Sequence, residues 1–292
     1  MKFFIYLFTF IFTNTLFAQE DTTWYNINFD ETIKDSAVYF SLKPVYENGK
    51  YTLKNFYLDG TIQFVGKSLK EDEQIMDGLI TYYFPNGKIK ATMQYIAGSR
   101  EGTAIMYYDD GNEKTIIDWK KDKKNGACSE YYPNGKLQVT YTFVDDKING
   151  KVIRYYENGK YYGSRSYKMD NLDGETIIYS EEGKLIESCN YINNLKSGLF
   201  TEYHANGKIA KQGQYKNDLK EGLWKGFDYD GIIEAEGNYK MNLKNGFWKE
   251  WSTSSEPAVI YKGQYKNDIK VGIWKEYLLN GEYKGMINYN YE

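Results

Sequence analysis

A glycine returns at Gly78, Gly102, Gly126, Gly150, Gly174, Gly198, Gly222 and Gly246, each 24 residues after the last, and again at Gly272 after 26. A chain with this period does not fold as one globule of its length. Each unit is a short element that cannot bury its apolar side alone, so neighbours stack and the array grows along an axis. With that glycine as column 0, nine copies occupy residues 78–292. Residues 51–77 hold a degenerate first copy around Phe56-Tyr-Leu-Asp-Gly-Thr-Ile62, and residues 19–50, which show no register, read as an N-terminal cap.

Each unit reads as strand, tight turn, strand and connector. Columns 1–6 are β-branched and aromatic, as in Leu79-Ile-Thr-Tyr-Tyr-Phe84 and Lys151-Val-Ile-Arg-Tyr-Tyr156. Asn-Gly or Asp-Gly at columns 8 and 9, as in Asn86-Gly87, Asp110-Gly111 and Asn206-Gly207, is a strong hairpin signal. Pro85 and Pro133 precede two of these turns. Proline has no N–H for a strand pair but suits the first position of a type I turn, so the turn is predicted to span three residues, with glycine left-handed. A second strand is expected over columns 10–17. A polar connector such as Lys216-Asn-Asp-Leu-Lys-Glu221 then leads to the next glycine.

This turn sets column 5 opposite column 11, and simple alternation then places columns 5, 11, 15 and 17 on one side. Column 5 is Tyr, Phe or Trp in all nine copies, from Tyr83 to Tyr277, and column 17 runs from Tyr95 and Trp119 to Tyr239 and Tyr289. Column 2 falls on the other side and grows along the chain, from Ile80, Ala104 and Cys128 to Phe200, Trp224, Trp248 and Trp274. Column 15 shrinks over the same stretch, reaching Gly213, Gly237 and Gly263. That trend suggests a ring lying over a glycine, which alternation forbids unless a bulge or bend intervenes near column 0 or column 15. Trp274 with Ile287 departs from the trend.

Residues 1–18 carry Lys2, an apolar run and a small residue at Ala18, the pattern of a cleaved secretory signal; a membrane-spanning helix needs roughly 20 apolar residues. The expected location is therefore periplasmic, cell-envelope or extracellular. Without Lys2 the chain has 36 Lys+Arg against 40 Asp+Glu, mixed along every repeat, which argues against a nucleic-acid partner. Cys128 and Cys189 lie two and a half repeats apart. Two strands of about 4.8 Å per unit would separate them by roughly 24 Å, beyond the about 7 Å a disulfide tolerates, so both are expected as free thiols.

The units resemble the MORN-repeat family in its bacterial form, G-x-W-x-x-Y-x-x-N-G-K…G-x-Y, most closely at Gly222-Leu-Trp224, Gly246-Phe-Trp248-Lys-Glu-Trp251 and Gly272-Ile-Trp274-Lys-Glu-Tyr277. The resemblance covers about residues 52–292. It implies an all-β fold, an elongated single antiparallel sheet of stacked hairpins, used as a scaffold or binding surface. Some relatives are labelled antitoxins, which implies a role in binding a partner protein. A propeller with 48-residue blades and a choline-binding hairpin solenoid are competing architectures.

Catalytic chemistry is not indicated. His204 has no companion at ligand spacing, and the charges Glu130, Glu202, Glu250 and Glu276 in column 4, with Lys225, Lys249 and Lys275 in column 3, read as a solvated face. No phosphate loop, nucleophile elbow or metal cluster is present, so no cofactor is expected. The chain reads as a non-enzymatic exported interaction array, with Phe200, Trp224, Trp248 and Trp274 as candidate partner-binding surface. The expected partner is a protein; a carbohydrate- or envelope-binding module and an antitoxin- or immunity-type binder are the alternatives. The last strand, Tyr283-Lys-Gly-Met-Ile-Asn-Tyr-Asn-Tyr291, is an edge through which a dimer could form.

Overall fold

A computed structural model describes residues 22–71, 74–252 and 257–289. The signal sequence assigned to residues 1–18 lies outside them, as do residues 19–21 of the cap. The described chain is all-β. It has 25 strands and a single 3-10 turn at Lys34–Ser36, and every strand pairing is antiparallel. Two compact units are distinguished: residues up to 99 with 109–111, and residues 100–108 with 112 onward.

The predicted hairpin turn is present. In the copy at Gly126, the Gly135 N–H donates to the Tyr132 carbonyl (2.9 Å) and the Tyr132 N–H to the Lys136 carbonyl (2.8 Å), closing a three-residue loop of Pro133, Asn134 and Gly135. Gly135 has φ 79°, which only glycine adopts cheaply. The Asn134 carboxamide oxygen braces the loop by accepting from the Lys136 N–H (3.0 Å). Column 5 opposes column 11, as in Tyr131 with Leu137 and Tyr203 with Ile209. The degenerate first copy uses the same loop at Leu58-Asp59-Gly60.

The face assignment of columns 15 and 17 is corrected by the bulge this turn creates. Tyr203 pairs with Ile209, but Glu202 pairs with Lys211, so Ala210 is the extra residue and parity reverses beyond it. Phe200 then pairs directly with Gly213, and Gly198 with Tyr215. Columns 2, 15 and 17 therefore share the buried face, while columns 5 and 11 share the other.

The connector is also corrected. It is a second tight turn of only two residues: Asn217 (φ 52°) and Asp218 (φ 65°), with equivalents such as Asp145-Asp146 and Asn193-Asn194, are both left-handed, and Lys216 pairs with Leu219 across them. Such turns match the twist of the strands they join. Strands therefore begin three residues before column 0, as in Leu195–Tyr203 and Leu219–Phe227. Inside these strands the column 0 glycine forms a second bulge, but the change of face that brings columns 2 and 15 together lies at Ala210, in column 12, and not near column 0 or column 15 as expected. Cys189 pairs with Phe200 but Tyr191 with Lys196, and Gly198 sits between at φ 91°.

Both rims of the hairpins are laced from repeat to repeat. In column 6 the Tyr108, Tyr132 and Tyr156 hydroxyls donate to the carbonyls of Tyr131, Tyr155 and Tyr179 in the next copy (2.8, 2.9 and 2.7 Å). Column 10 lysines reach the next turn, Lys136 to the Asn158 carbonyl and Lys160 to the Glu181 carbonyl (2.8 and 2.9 Å). On the opposite rim, the Asp218 carboxylate accepts from the Lys196 N–H (2.7 Å) and the Asn242 carboxamide oxygen from the Lys220 N–H (2.6 Å).

Candidate interaction surface

The four rings singled out from the sequence are interior. Phe200, Trp224, Trp248 and Trp274 are 2, 4, 2 and 1% exposed, so in this structure they offer no open face to a partner. Their location follows from the two bulges. A Cβ placed on Gly213 would lie 2.1 Å from Cδ2 of Trp224; on Gly237, 2.2 Å from that of Trp248; on Gly263, 2.3 Å from that of Trp274. Each indole lies on the column 15 glycine of the preceding copy. The size complementarity therefore runs between neighbouring repeats, and Trp274, which departed from it within its own unit, conforms once it is paired with Gly263.

Column 17 completes this interior. Phe200, Tyr215, Trp224, Tyr239, Trp248, Tyr265, Trp274 and Tyr289 form an unbroken edge-to-face series, with centroids 5.1–6.3 Å apart and planes at 78–87°. Each such contact contributes about 0.5–1.5 kcal/mol beyond area burial. The indole N–H of Trp224, Trp248 and Trp274 donates to the carbonyl of Gln214, Asn238 and Gln264 (3.0, 3.0 and 3.2 Å), beside the bulge where the ladder is interrupted. Over each ring lies the lysine two positions before column 0, with Lys220, Lys244 and Lys270 at 4.7, 4.4 and 4.1 Å from the centroids of Trp224, Trp248 and Trp274. Burial pushes the Lys220 ammonium below its ordinary pKa. Glu250 receives Lys244 (2.8 Å), Lys270 (2.9 Å) and the Tyr265 hydroxyl (2.8 Å). Burial pulls its carboxyl pKa upward, and those three hydrogen bonds outweigh it and hold the group below the usual carboxylate range. These lysines escape a reading of the sequence that assigns their columns to a connector.

The other titratable candidates are paired locally. His204 stands in column 6 and its Nε2 lies 2.9 Å from the Phe227 carbonyl, so Nε2 carries the proton and the ring substitutes for the Tyr hydroxyls of earlier copies. Among the column 4 carboxylates, Glu130 accepts from Tyr141, Glu202 meets Lys211 (2.7 Å) and Glu276 meets Lys284 (2.9 Å). Lys249 and Lys225 lie 2.7 and 3.8 Å from Glu236. Cys128 and Cys189 are buried free thiols. Burial raises both pKa values, that of Cys189 to about 11. Among the described residues no cluster of three or more metal-ligating side chains occurs, and no helix is long and apolar enough to cross a membrane.

What the last four repeats do expose is a different apolar series. Column 1 carries Leu199, Leu223, Phe247 and Ile273, exposed by 47, 51, 47 and 50%. Three residues before column 0, Leu195, Leu219, Leu243 and Ile269 are exposed as well. Both positions alternate with the buried column 2 and the half-buried lysine, so they lie on the face opposite the ring series. Reading column 1 down the array, where Leu79 is followed by Thr103, Ala127, Lys151 and Glu175 and then by Leu, Leu, Phe and Ile, would have found this stripe.

Two-turn hairpins whose neighbours are joined through a bulged glycine and a ring define a class of stacked β-hairpin array. The family model described as MORN repeat variant matches residues 76–97, 124–145, 148–169, 172–193, 196–217 and 220–241, and the MORN repeat model matches 212–223 and 261–273. This chain belongs to the MORN-repeat family. No curated protein matches it. Among solved structures, the crystal structure of TcdB2-TccC3-TEV is similar at 10% identity over 86% of this chain and 17% of that one, with a TM-score of 0.19. The chain thus spans about a sixth of that protein's length. A porin-like protein from Bacteroides uniformis is similar at 11% identity over 77% of this chain and 94% of its own, with a TM-score of 0.18. At these scores neither likeness bears on function.

Proposed function

We propose that the protein is an exported, non-enzymatic scaffold whose last four repeats present an apolar stripe to a protein partner. Repeats of this family mediate protein or membrane interactions, which supports the general reading. The observation that carries the specific one is the half-exposed series Leu199, Leu223, Phe247 and Ile273, backed by a rigid ring series on the opposite face. Apolar side chains repeated at one register on a stiff support suit a partner that lies across several hairpins.

The test is site-specific photocrosslinking in the native host, with a crosslinking residue at Leu223 or Phe247 and, as controls, at Lys151 or Glu175 in the same column of earlier repeats. A discrete protein adduct is expected from the first pair alone. Replacing all four stripe residues by Ser should abolish the adduct while leaving the circular dichroism spectrum intact. Equal adducts from both pairs of sites, or an adduct that survives the fourfold replacement, would overturn the assignment. The export element is checked by N-terminal sequencing of the protein from the envelope or medium, where a chain beginning at Gln19 is expected; retention in the cytoplasm with Met1 intact contradicts it.

A further inference from the structure

The N-terminal unit holds a cavity that neither the repeat pattern nor the scaffold role requires. Its origin is a break in strand pairing. The strand Lys50–Tyr57 is covered along one edge by two short strands. Tyr39–Leu42 pairs with it from Asn55 to Tyr57, and Val45–Glu47 from Lys50 to Thr52. Leu53 and Lys54 have no counterpart in either register, and the chain crosses that point through Lys43 and Pro44. Proline cannot donate to a ladder, so the two-residue gap stays open. Beside it lies a cavity of about 890 Å³.

Three features mark this cavity as a ligand site. Gln63, 8% exposed, is among its lining residues, and its buried Oε1 has no hydrogen-bond partner. A buried amide oxygen with no donor is costly, and its presence is explained when a ligand supplies the missing donor. Phe29, also in the lining, is 44% exposed and held at φ 64°, a conformation costly for a large side chain. The Asn26 side chain fixes it there by accepting the N–H groups of Asn28 and Asp30 (2.8 and 3.0 Å), and the ring stacks on Tyr39 at 4.6 Å. The third feature is the balance of the lining. Tyr25, Phe64 and Tyr82 supply aromatic surface, and Asn55 and Gln74 supply further amides. Glu31 and Glu71 are matched by Lys43 and Lys54, so no net charge selects an ion.

Aromatic faces beside amide side chains, with balanced charge, suit a sugar: its C–H face packs on a ring while its hydroxyls both donate and accept. A peptide added as a strand is disfavoured, since the unpaired edge is only Leu53 and Lys54 and strands run to about three residues or more. The volume falls within the range of about 300–1,000 Å³ typical of small-ligand pockets and exceeds what one sugar ring fills. We propose that this cavity binds a short neutral oligosaccharide, with a sugar ring against Phe29 and a hydroxyl donating to Gln63.

The full-length mature chain would be titrated calorimetrically with cellotriose, maltotriose and the N-acetylglucosamine trimer. At least one is expected to bind with a Kd of about 1 mM or tighter. Phe29→Ala and Gln63→Leu should each weaken that binding about tenfold or more. Gln63→Leu should at the same time leave the melting temperature unchanged or raise it, because it removes an unpaired group rather than a hydrogen bond. The fourfold Ser variant of the apolar stripe should bind the sugar normally, which separates this site from the scaffold reading. Failure of all three sugars to bind, parent-like affinity in both cavity variants, or displacement of the sugar by an unrelated peptide would overturn the proposal.

Discussion

Replacing Gly237 by Ala tests the join between repeats with a single methyl group. Gly237 lies outside the positive-φ region, so Ala is not strained there by its backbone. Its Cβ, however, would sit 2.2 Å from Cδ2 of Trp248 and 2.4 Å from Cγ and Cε2, where ordinary contact begins at 3.4 Å. The indole has no room to retreat. Trp248 is 2% exposed, its N–H is bound to the Asn238 carbonyl at 3.0 Å, and Tyr239 and Tyr265 meet it edge-on at 5.1 and 5.8 Å. Overpacking of a rigid site costs about 1–3 kcal/mol, and losing the indole hydrogen bond about 1 kcal/mol more, so a loss of about 3 kcal/mol is expected. Urea denaturation followed by far-UV circular dichroism and Trp fluorescence reads it, with both probes recorded because a repeat array can unfold in parts. Gly226→Ala is the control, since a Cβ there meets only the Ala235 carbonyl at 4.0 Å. Adding Trp248→Phe, which imitates the Cys189 and Phe200 pair, should make the double variant about 1 kcal/mol or more better than the sum of the singles. If Gly237→Ala is as harmless as Gly226→Ala, the ring does not rest on that glycine and the inter-repeat account fails.

Tyr156→Phe removes the hydroxyl that donates to the Tyr179 carbonyl at 2.7 Å and should cost about 1 kcal/mol in the same denaturation assay; no change would show that this rim bond is replaced by water at no loss. The Cys189 thiol, raised by burial from its ordinary 9.0 to about 11, contributes stability that is complete below pH 9.0 and is lost as pH rises toward about 11. Cys189→Ala should therefore flatten the fall of the unfolding midpoint across that window, and an unchanged slope would contradict the burial. Both cysteines should react with a thiol reagent only after denaturation, and the non-reduced intact mass should show no disulfide.

Much of this fold is legible in the sequence because its turns are written in residues with few alternatives. Pro133-Asn134-Gly135 admits one turn type, and that turn gives the pairing of column 5 with column 11. The change of face just past the turn is harder to read, because a bulge is a shift of parity with no residue of its own: Ala210, the inserted residue, looks like any strand alanine. The second turn is hidden for a different reason. Asn217-Asp218 has both residues left-handed without a glycine, so its polar composition reads as a loose connector. That reading conceals the lysines at 220, 244 and 270, and with them the charged lid over the rings. The ring-on-glycine relation is visible as covariation in size, but its true frame, from one repeat to the next, needs the register at the column 0 bulge. The same parity misplaces the candidate surface: Trp224 and Trp248 draw attention as large aromatics, while the modest Leu223 and Phe247 beside them are the ones exposed.

The ring series also implies where the array is weakest. From Phe200 onward each join is a ring on a small residue with an indole or tyrosine edge beside it, but at the join of Arg165 with Thr176 the same positions hold one charged and one hydroxyl side chain. Thr176 is 2% exposed and Ser164 3%, and neither hydroxyl has a partner. A pocket of about 10 Å³ lies against Ser164 and Arg165, room for at most one water, and Thr176 is not in its lining. Two unsatisfied hydroxyls therefore oppose this join where the later ones gain aromatic contacts, so native-state hydrogen exchange should show strands on either side of it opening before those from Leu195 onward. Thr176→Val keeps the shape and removes one orphan, and should raise the unfolding midpoint by an amount worth about 1 kcal/mol. A lowered midpoint would mean that the Thr176 hydroxyl is satisfied in solution, and the weak join would have to be sought elsewhere.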